Sequence, residues 1–236
     1  MQIGSVMLDS IQYGRQIIEF ELQYSKRKSI GIKVLPTSSV EVTAPMGLCV
    51  DKIKEELLKK ASWIIKQKSL MLNLDSNLVD YEVKSGYSVY YLGRKYKILV
   101  EKSDRVEVFY KGNLFLIKVK SKDKARSVFD KWLRERAMIK ITEIAKPIID
   151  RFSERFEEPE DIFFQNMATR WGSCTISNKL IFNPKLIHTP KRCIEYVVMH
   201  ELCHIVYKNH NQDFFNLLTM MMPDWEKRKE KLDCFA

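Results

Sequence analysis

Long apolar runs are missing from this chain, and no stretch approaches the length a membrane-spanning helix needs. Met1–Gln16 lacks a basic segment followed by an apolar core, so no secretory leader is expected. Cysteine is sparse. Five residues, an odd number without framework spacing, exclude a disulfide scaffold and point to free thiols in a reducing compartment, so the expected location is the cytoplasm. Neither an internal repeat nor a low-complexity tract is visible. Histidine is scarcer still, with four in 236 residues, yet three of the four fall between positions 200 and 210.

What is present fits a globular chain with one large or two small domains: 45% hydrophobic and 30% charged residues in 236. The net charge is +10. Residues 1–120 carry 20 basic and 13 acidic side chains, against 20 and 17 in residues 121–236. A basic N-terminal half can serve an acidic partner, nucleic acid included; a lysine-rich solvated surface explains the same balance.

The stretch that carries chemistry is His200-Glu201-Leu202-Cys203-His204, followed by His210. Residues four apart on a helix stack on one face, so His200 and His204 can grip one ion, and Glu201 is held beside whatever that ion binds. Two histidine ligands and a carboxylate base on one helical turn is the arrangement of a zinc hydrolase. Thr189 is the expected N-cap of this helix, with Pro190 at its first position. If the helix continued, His210 would lie about 9 Å beyond His204 and far around the axis. His210 can therefore join the site only if the helix stops soon after Tyr207, with a left-handed turn expected at Asn209. Asn211 then caps a new helix, Gln212–Met222, stopped by Pro223. The His204-to-His210 spacing equals that of the metzincin pattern, with Tyr207 where that pattern has glycine. The fourth histidine, His188, reads as a surface or capping residue.

Elsewhere the pattern is α+β. Strands are expected at Ile17–Tyr24, Ile30–Leu35 and Val40–Thr43, then a helix from Asp51 to about Leu72 with Trp63 in its core. A polar connector, Asn73–Ser85, leads to an antiparallel meander: Tyr87–Leu92, Lys95–Val100, Val106–Tyr110 and Leu114–Val119. A second long helix is expected over Lys122–Phe156, kinked or interrupted at Pro147. Short strands at Ile162–Gln165 and Leu180–Phe182 flank Arg170-Trp171-Gly172-Ser173-Cys174. The segment Ile176–Asn183 is the expected edge for pairing with an extended substrate. The resulting domains are 1–120, β-rich with one long helix, and 121–236, the catalytic part.

The motifs resemble the YgjP-like family of bacterial metal-dependent hydrolases, related to the SprT-like and WLM zinc peptidases. The resemblance rests on Arg170-Trp171-Gly172-Ser173-Cys174, Phe182-Asn183-Pro184, Tyr196 through His204, Asn209-His210 and Pro223-Asp224-Trp225. In the N-terminal half it rests on Lys26-Arg27-Lys28-Ser29, Thr43-Ala44-Pro45, Trp63-Ile64 and Tyr91 through Tyr96. It implies a zincin-like metallopeptidase domain at the C-terminus, with His200, His204 and His210 as ligands and Glu201 as base. Related WLM and SprT-like members act on proteins crosslinked to DNA, which gives the basic half a second possible meaning.

The expected activity is hydrolysis of a peptide or protein substrate at one Zn²⁺ ion, with Glu201 as general base. Oxyanion donors are sought among Tyr207, Tyr196 and Arg170, in that order. Cys174 is a candidate inhibitory thiolate, and Cys203 a packed small residue. Met220-Met221-Met222 is a candidate apolar floor below the metal. Two alternatives stay open: a nucleic-acid-associated protein whose protease domain acts on DNA-bound proteins, and a non-peptidase zinc amidohydrolase.

Overall fold

The structure is a computed structural model and describes residues 7–14, 16–35, 39–70 and 81–235. Part of the N-terminal stretch Met1–Gln16 and of the connector Asn73–Ser85 falls outside these residues, as does the expected helix end at Leu72. The chain divides into two compact units, Met1–Asn73 and Leu74–Ala236.

In the first unit, β1 (Met7–Tyr13), β2 (Gln16–Ser25), β3 (Gly31–Val34) and β4 (Val40–Pro45) form one sheet in the order β1-β2-β4-β3. Strand β1 has no counterpart in the sequence reading. The helix α1 (Val50–Leu70) covers one face of the sheet. Ile53, Leu57, Ala61 and Ile64 recur at helical spacing and pack on Ile18, Phe20, Leu22, Val42 and Ala44, all buried. Trp63 corrects the sequence reading: it lies off that stripe and is 43% exposed.

The second unit opens with β5 (Ser88–Tyr91), β6 (Arg94–Lys102), β7 (Glu107–Lys111) and β8 (Leu114–Val119). They are not a meander. The order is β5-β6-β8-β7, and β6 runs parallel to β8 in register Ile98↔Phe115 and Val100↔Ile117. The first unit has the same plan, with β2 parallel to β4. In both, alternate residues of the second strand are buried: Ile18, Phe20 and Leu22 in β2, and Tyr96, Ile98 and Val100 in β6. Each sheet then feeds a long helix. The chain therefore repeats a ββββα module that the sequence conceals, because the first core is mostly aliphatic and the second adds a cluster of aromatic rings to its aliphatic side chains.

In the second copy, Tyr91, Tyr96, Phe115, Phe129 and Trp132 interlock, with Phe115 and Phe129 centroids 5.2 Å apart. Phe129 and Trp132 come from α2 (Ala125–Ser153), which follows a 3-10 turn at Lys122–Lys124 and runs through Pro147. This packing ties β5–β8 to α2, so the compact units divide at Asn73/Leu74, where the sequence reading divides domains at residue 120.

A small sheet follows, in the order β10 (Gly172–Cys174), β11 (Leu180–Phe182), β9 (Ile162–Phe164). A 3-10 helix, Pro184–His188, leads into α3 (Lys191–Val206), then α4 (Gln212–Met221) and α5 (Trp225–Asp233). The β5–β6 turn grips the start of α3. The Leu92 amide donates to the Ile187 carbonyl at 2.7 Å and the Gly93 amide to the His188 carbonyl at 3.2 Å. Gly93 has φ +77°, and a Cβ there would lie 2.6 Å from Pro190 Cγ. Among the described residues no helix is long and apolar enough to cross a membrane.

Candidate metal centre

Helix α3 begins one residue later than its sequence signals suggest. Pro190 takes the N-cap, with φ −57° and ψ 149°. The Thr189 hydroxyl instead closes the preceding 3-10 turn, donating to Leu186 O at 2.9 Å. Eleven of the helix's residues are buried, His200 and Glu201 among them. Two polar groups sunk in an apolar helix are costly unless something satisfies them.

The helix ends at Val206, and the turn expected at Asn209 is made two residues earlier. Tyr207 is extended, with φ −122° and ψ 106°, while its amide still bonds Cys203 O at 2.9 Å. That conformation turns the Tyr207 carbonyl back to His204 Nδ1, at 3.0 Å. One backbone kink thus stops the helix and orients a ring, with no left-handed residue at 209. Asn211 caps α4 as its sequence suggests, its Oδ1 accepting from the Phe214 amide at 2.9 Å.

The kink brings His210 to the other two histidines. Its Nε2 lies 2.9 Å from that of His200 and 3.1 Å from that of His204. Burial holds all three rings neutral: His210 falls to about 3, His200 well below 6.5 and His204 below it, with mutual repulsion a lesser cause for His200 and His210. In His204 the Nδ1–H donates to Tyr207, so Nε2 presents a lone pair. These three residues could hold a metal ion. They fit one: ligands about 2.0–2.1 Å from a tetrahedral zinc lie about 3.3–3.4 Å apart, so His210 need move from each of its two neighbours only by tenths of an ångström.

Phe214 is a site residue the sequence reading missed. Fully buried on α4, its ring lies 5.0 Å from His200, 4.7 Å from His204 and 4.7 Å from His210. It walls the three imidazoles, a role the sequence reading offered to Met220–Met222; Met220 is 54% exposed and Met222 is buried. The clue available was a phenylalanine one turn into the helix that Asn211 caps.

Glu201 is buried and faces β10. Burial lifts its carboxyl to about 8, opposed by the positive charge of Arg170 and by the backbone N–H of Cys174. Gly172 makes this approach possible: a Cβ there would sit 2.8 Å from Glu201 Oε1, 2.9 Å from its Cγ and 3.1 Å from Val197 Cγ1. Hence the glycine in Arg170-Trp171-Gly172-Ser173-Cys174. Cys174 is two residues along the same strand, and burial with the Glu201 charge raises its thiol to about 11. Cys203 is fully buried.

The substrate-pairing edge needs correcting. Residues 180–182 form β11, bonded on both sides, so Ile176–Asn183 has no free edge along that strand. The edge strand is β10. Asn183 N donates to Trp171 O and Thr175 N to Lys179 O, so the main-chain groups of Gly172 and Cys174 turn away from β11, and of these the Cys174 N–H is taken by Glu201.

Of the oxyanion candidates, Tyr207 enters through its carbonyl and Tyr196 is fully buried with its ring 5.8 Å from His200. Arg170 acts on the Glu201 carboxylate. The fourth histidine, His188, is buried rather than at the surface, with Nδ1 2.6 Å from Tyr90 O.

Comparison with known proteins gives the chain its family. The chain belongs to the YgjP-like family: the model of the YgjP-like metallopeptidase domain matches residues 28–234. No curated protein matches it. Among solved structures it is similar to the metallopeptidase zymogen of Methanocaldococcus jannaschii jannalysin, with 20% identity over 39% of this chain and 92% of that one and a TM-score of 0.34.

Proposed function

We propose that this metallopeptidase hydrolyses peptide bonds at one zinc ion held by Nε2 of His200, His204 and His210, with Glu201 as general base. The observation that carries the proposal is the meeting of three neutral imidazole nitrogens, 2.9 and 3.1 Å apart, one residue from a buried carboxylate. Ligation by histidine alone suits zinc, and three ligands leave the open position of a catalytic site. A bound zinc ion polarises a carbonyl oxygen and lowers the pKa of water.

The chain's own groups supply the rest. Tyr207 O and the Phe214 ring hold the imidazoles in place. Glu201 takes the proton from the attacking water and passes it to the leaving amine. The Cys174 amide and Arg170 orient its carboxylate. The hydroxyls of Tyr207 and Tyr196 and the Arg170 guanidinium are the candidate donors to the tetrahedral oxyanion, and Arg170 is the one whose charge reaches the Glu201 carboxylate. An extended substrate adds along β10, which gives backbone recognition tolerant of many side chains.

The test is cleavage of a peptide library together with zinc analysis. One zinc per chain is expected, with cleavage lost in His210→Ala and after chelation and regained when zinc is restored to the wild type. Cleavage that survives complete zinc removal would overturn the proposal.

A further inference from the structure

A cavity of about 830 Å³ opens in the second unit, lined by residues of α2, the loop after β9 and the 3-10 helix before α3. None of its lining residues belongs to the metal centre. It adjoins the start of α3, whereas His200 lies nine residues into that helix, about 13 Å along the axis.

Three features define what the cavity can hold. Lys131 and Arg134 on α2 and Lys185 on the 3-10 helix place positive charge around it. Among the described residues none of the three is in a salt bridge; Arg134 reaches only the Asn166 amide oxygen, at 3.3 Å. The one acid in the lining, Asp130, is already taken, at 2.5 Å by the Tyr81 hydroxyl and at 2.8 Å by Arg126. Beneath the cations the lining is apolar, with buried Leu133, Pro184 and Ile187.

The third feature is His188, 7% exposed and part of the lining. Its Nδ1 lies 2.6 Å from Tyr90 O, so that nitrogen carries the proton. Nε2 is then an acceptor with no hydrogen bond among the described residues, on a ring that lines the cavity. Burial drops the ring to about 4, so it stays neutral and accepting.

We infer that this cavity binds an organic phosphate: a dianionic group between Lys131, Arg134 and Lys185, joined to a flat apolar body that donates an N–H or O–H to His188 Nε2. A single carboxylate would leave part of that charge unanswered, and inorganic phosphate would leave the apolar lining and His188 Nε2 without a partner. The phosphate can belong to a free nucleotide or to the end of a nucleic-acid strand, which present the same groups.

Calorimetric titration of the full chain at low salt tests this, with three probes: ADP, a 5′-phosphorylated oligonucleotide and inorganic phosphate. ADP or the oligonucleotide should saturate one site per chain, and inorganic phosphate should bind more weakly than either. The tighter of the two organic probes identifies the source. Arg134→Glu with Lys185→Glu should weaken binding at least about tenfold, as loss of charged hydrogen bonds implies, with zinc content unchanged. Lys131→Glu, at an exposed position, should do the same by itself and guards against misfolding of the double variant. Absence of binding by all three probes overturns the inference, as does binding that both variants leave intact.

Discussion

Adding one methyl group at Gly172 presses on the proposed base directly. The new Cβ would lie 2.8 Å from Glu201 Oε1 and 2.9 Å from its Cγ, with Val197 Cγ1 at 3.1 Å. Carbon contacts relax at about 3.5 Å or more, so the carboxylate must retreat by roughly half an ångström or β10 must lift away from α3. Overpacking of this kind costs about 1–3 kcal/mol. For a unit of this size each kcal/mol moves the melting midpoint by about 2–4 °C, which gives a drop of about 2–12 °C. A 1 Å misplacement of a reacting group costs about a hundredfold, so kcat/KM of Gly172→Ala should fall by about ten- to a hundredfold. Zinc content should stay at one per chain, because the histidines are not touched. Adding Val197→Ala removes the third contact and should restore some stability but little activity. The measurements are peptide hydrolysis, metal analysis and thermal melting of the same preparations. Gly172→Ala with kcat/KM within about twofold of wild type and an unmoved midpoint would refute the idea that β10 confines Glu201.

Other expectations follow from the same geometry. His188 has a folded pKa of about 4 against 6.5, so the unfolded chain takes up its proton first as the pH falls. Its contribution to stability is full above pH 6.5 and is lost as the pH drops to about 4, by about 3 kcal/mol in all. His188→Gln should remove that share of the pH dependence in denaturant titrations; an unchanged slope would contradict it. Gly93→Ala combines φ +77° with a Cβ 2.7 Å from Pro190 Cα, so it should cost at least about 2 kcal/mol, visible as a lower melting midpoint. Phe214→Ala opens a void against three imidazoles and should cost about 3–5 kcal/mol, with faster zinc loss to a chelator; equal zinc retention would remove Phe214 from the site.

Much of the candidate site was legible because it is local. His200, Glu201 and His204 follow from helical spacing, and the need for a break before His210 follows from helix geometry alone. The manner of the break was not legible: extended backbone at Tyr207 leaves no residue signature, whereas asparagine at 209 advertises a turn that is not made there. Gly172 and Phe214 come to Glu201 and the histidines only through tertiary packing, so no spacing reveals them. The strands were largely readable from alternation, yet their order was not. An antiparallel meander and the observed β5-β6-β8-β7 order expose the same alternating pattern, and only the pairing of β6 with β8 separates them. Trp63 misled for a related reason: aromatic character suggests core, but helical phase places it off the buried stripe of α1.

The proposed chemistry requires a carboxylate at position 201, next to a metal that does not depend on it. Replacing Glu201 with glutamine keeps the shape and removes the base. Zinc content and peptide hydrolysis measured on Glu201→Gln therefore test the central claim most directly. One zinc per chain is expected, with a fall in kcat/KM of about a hundred- to ten-thousandfold, the range for loss of a general base. Hydrolysis at the wild-type rate, with zinc bound, would contradict it.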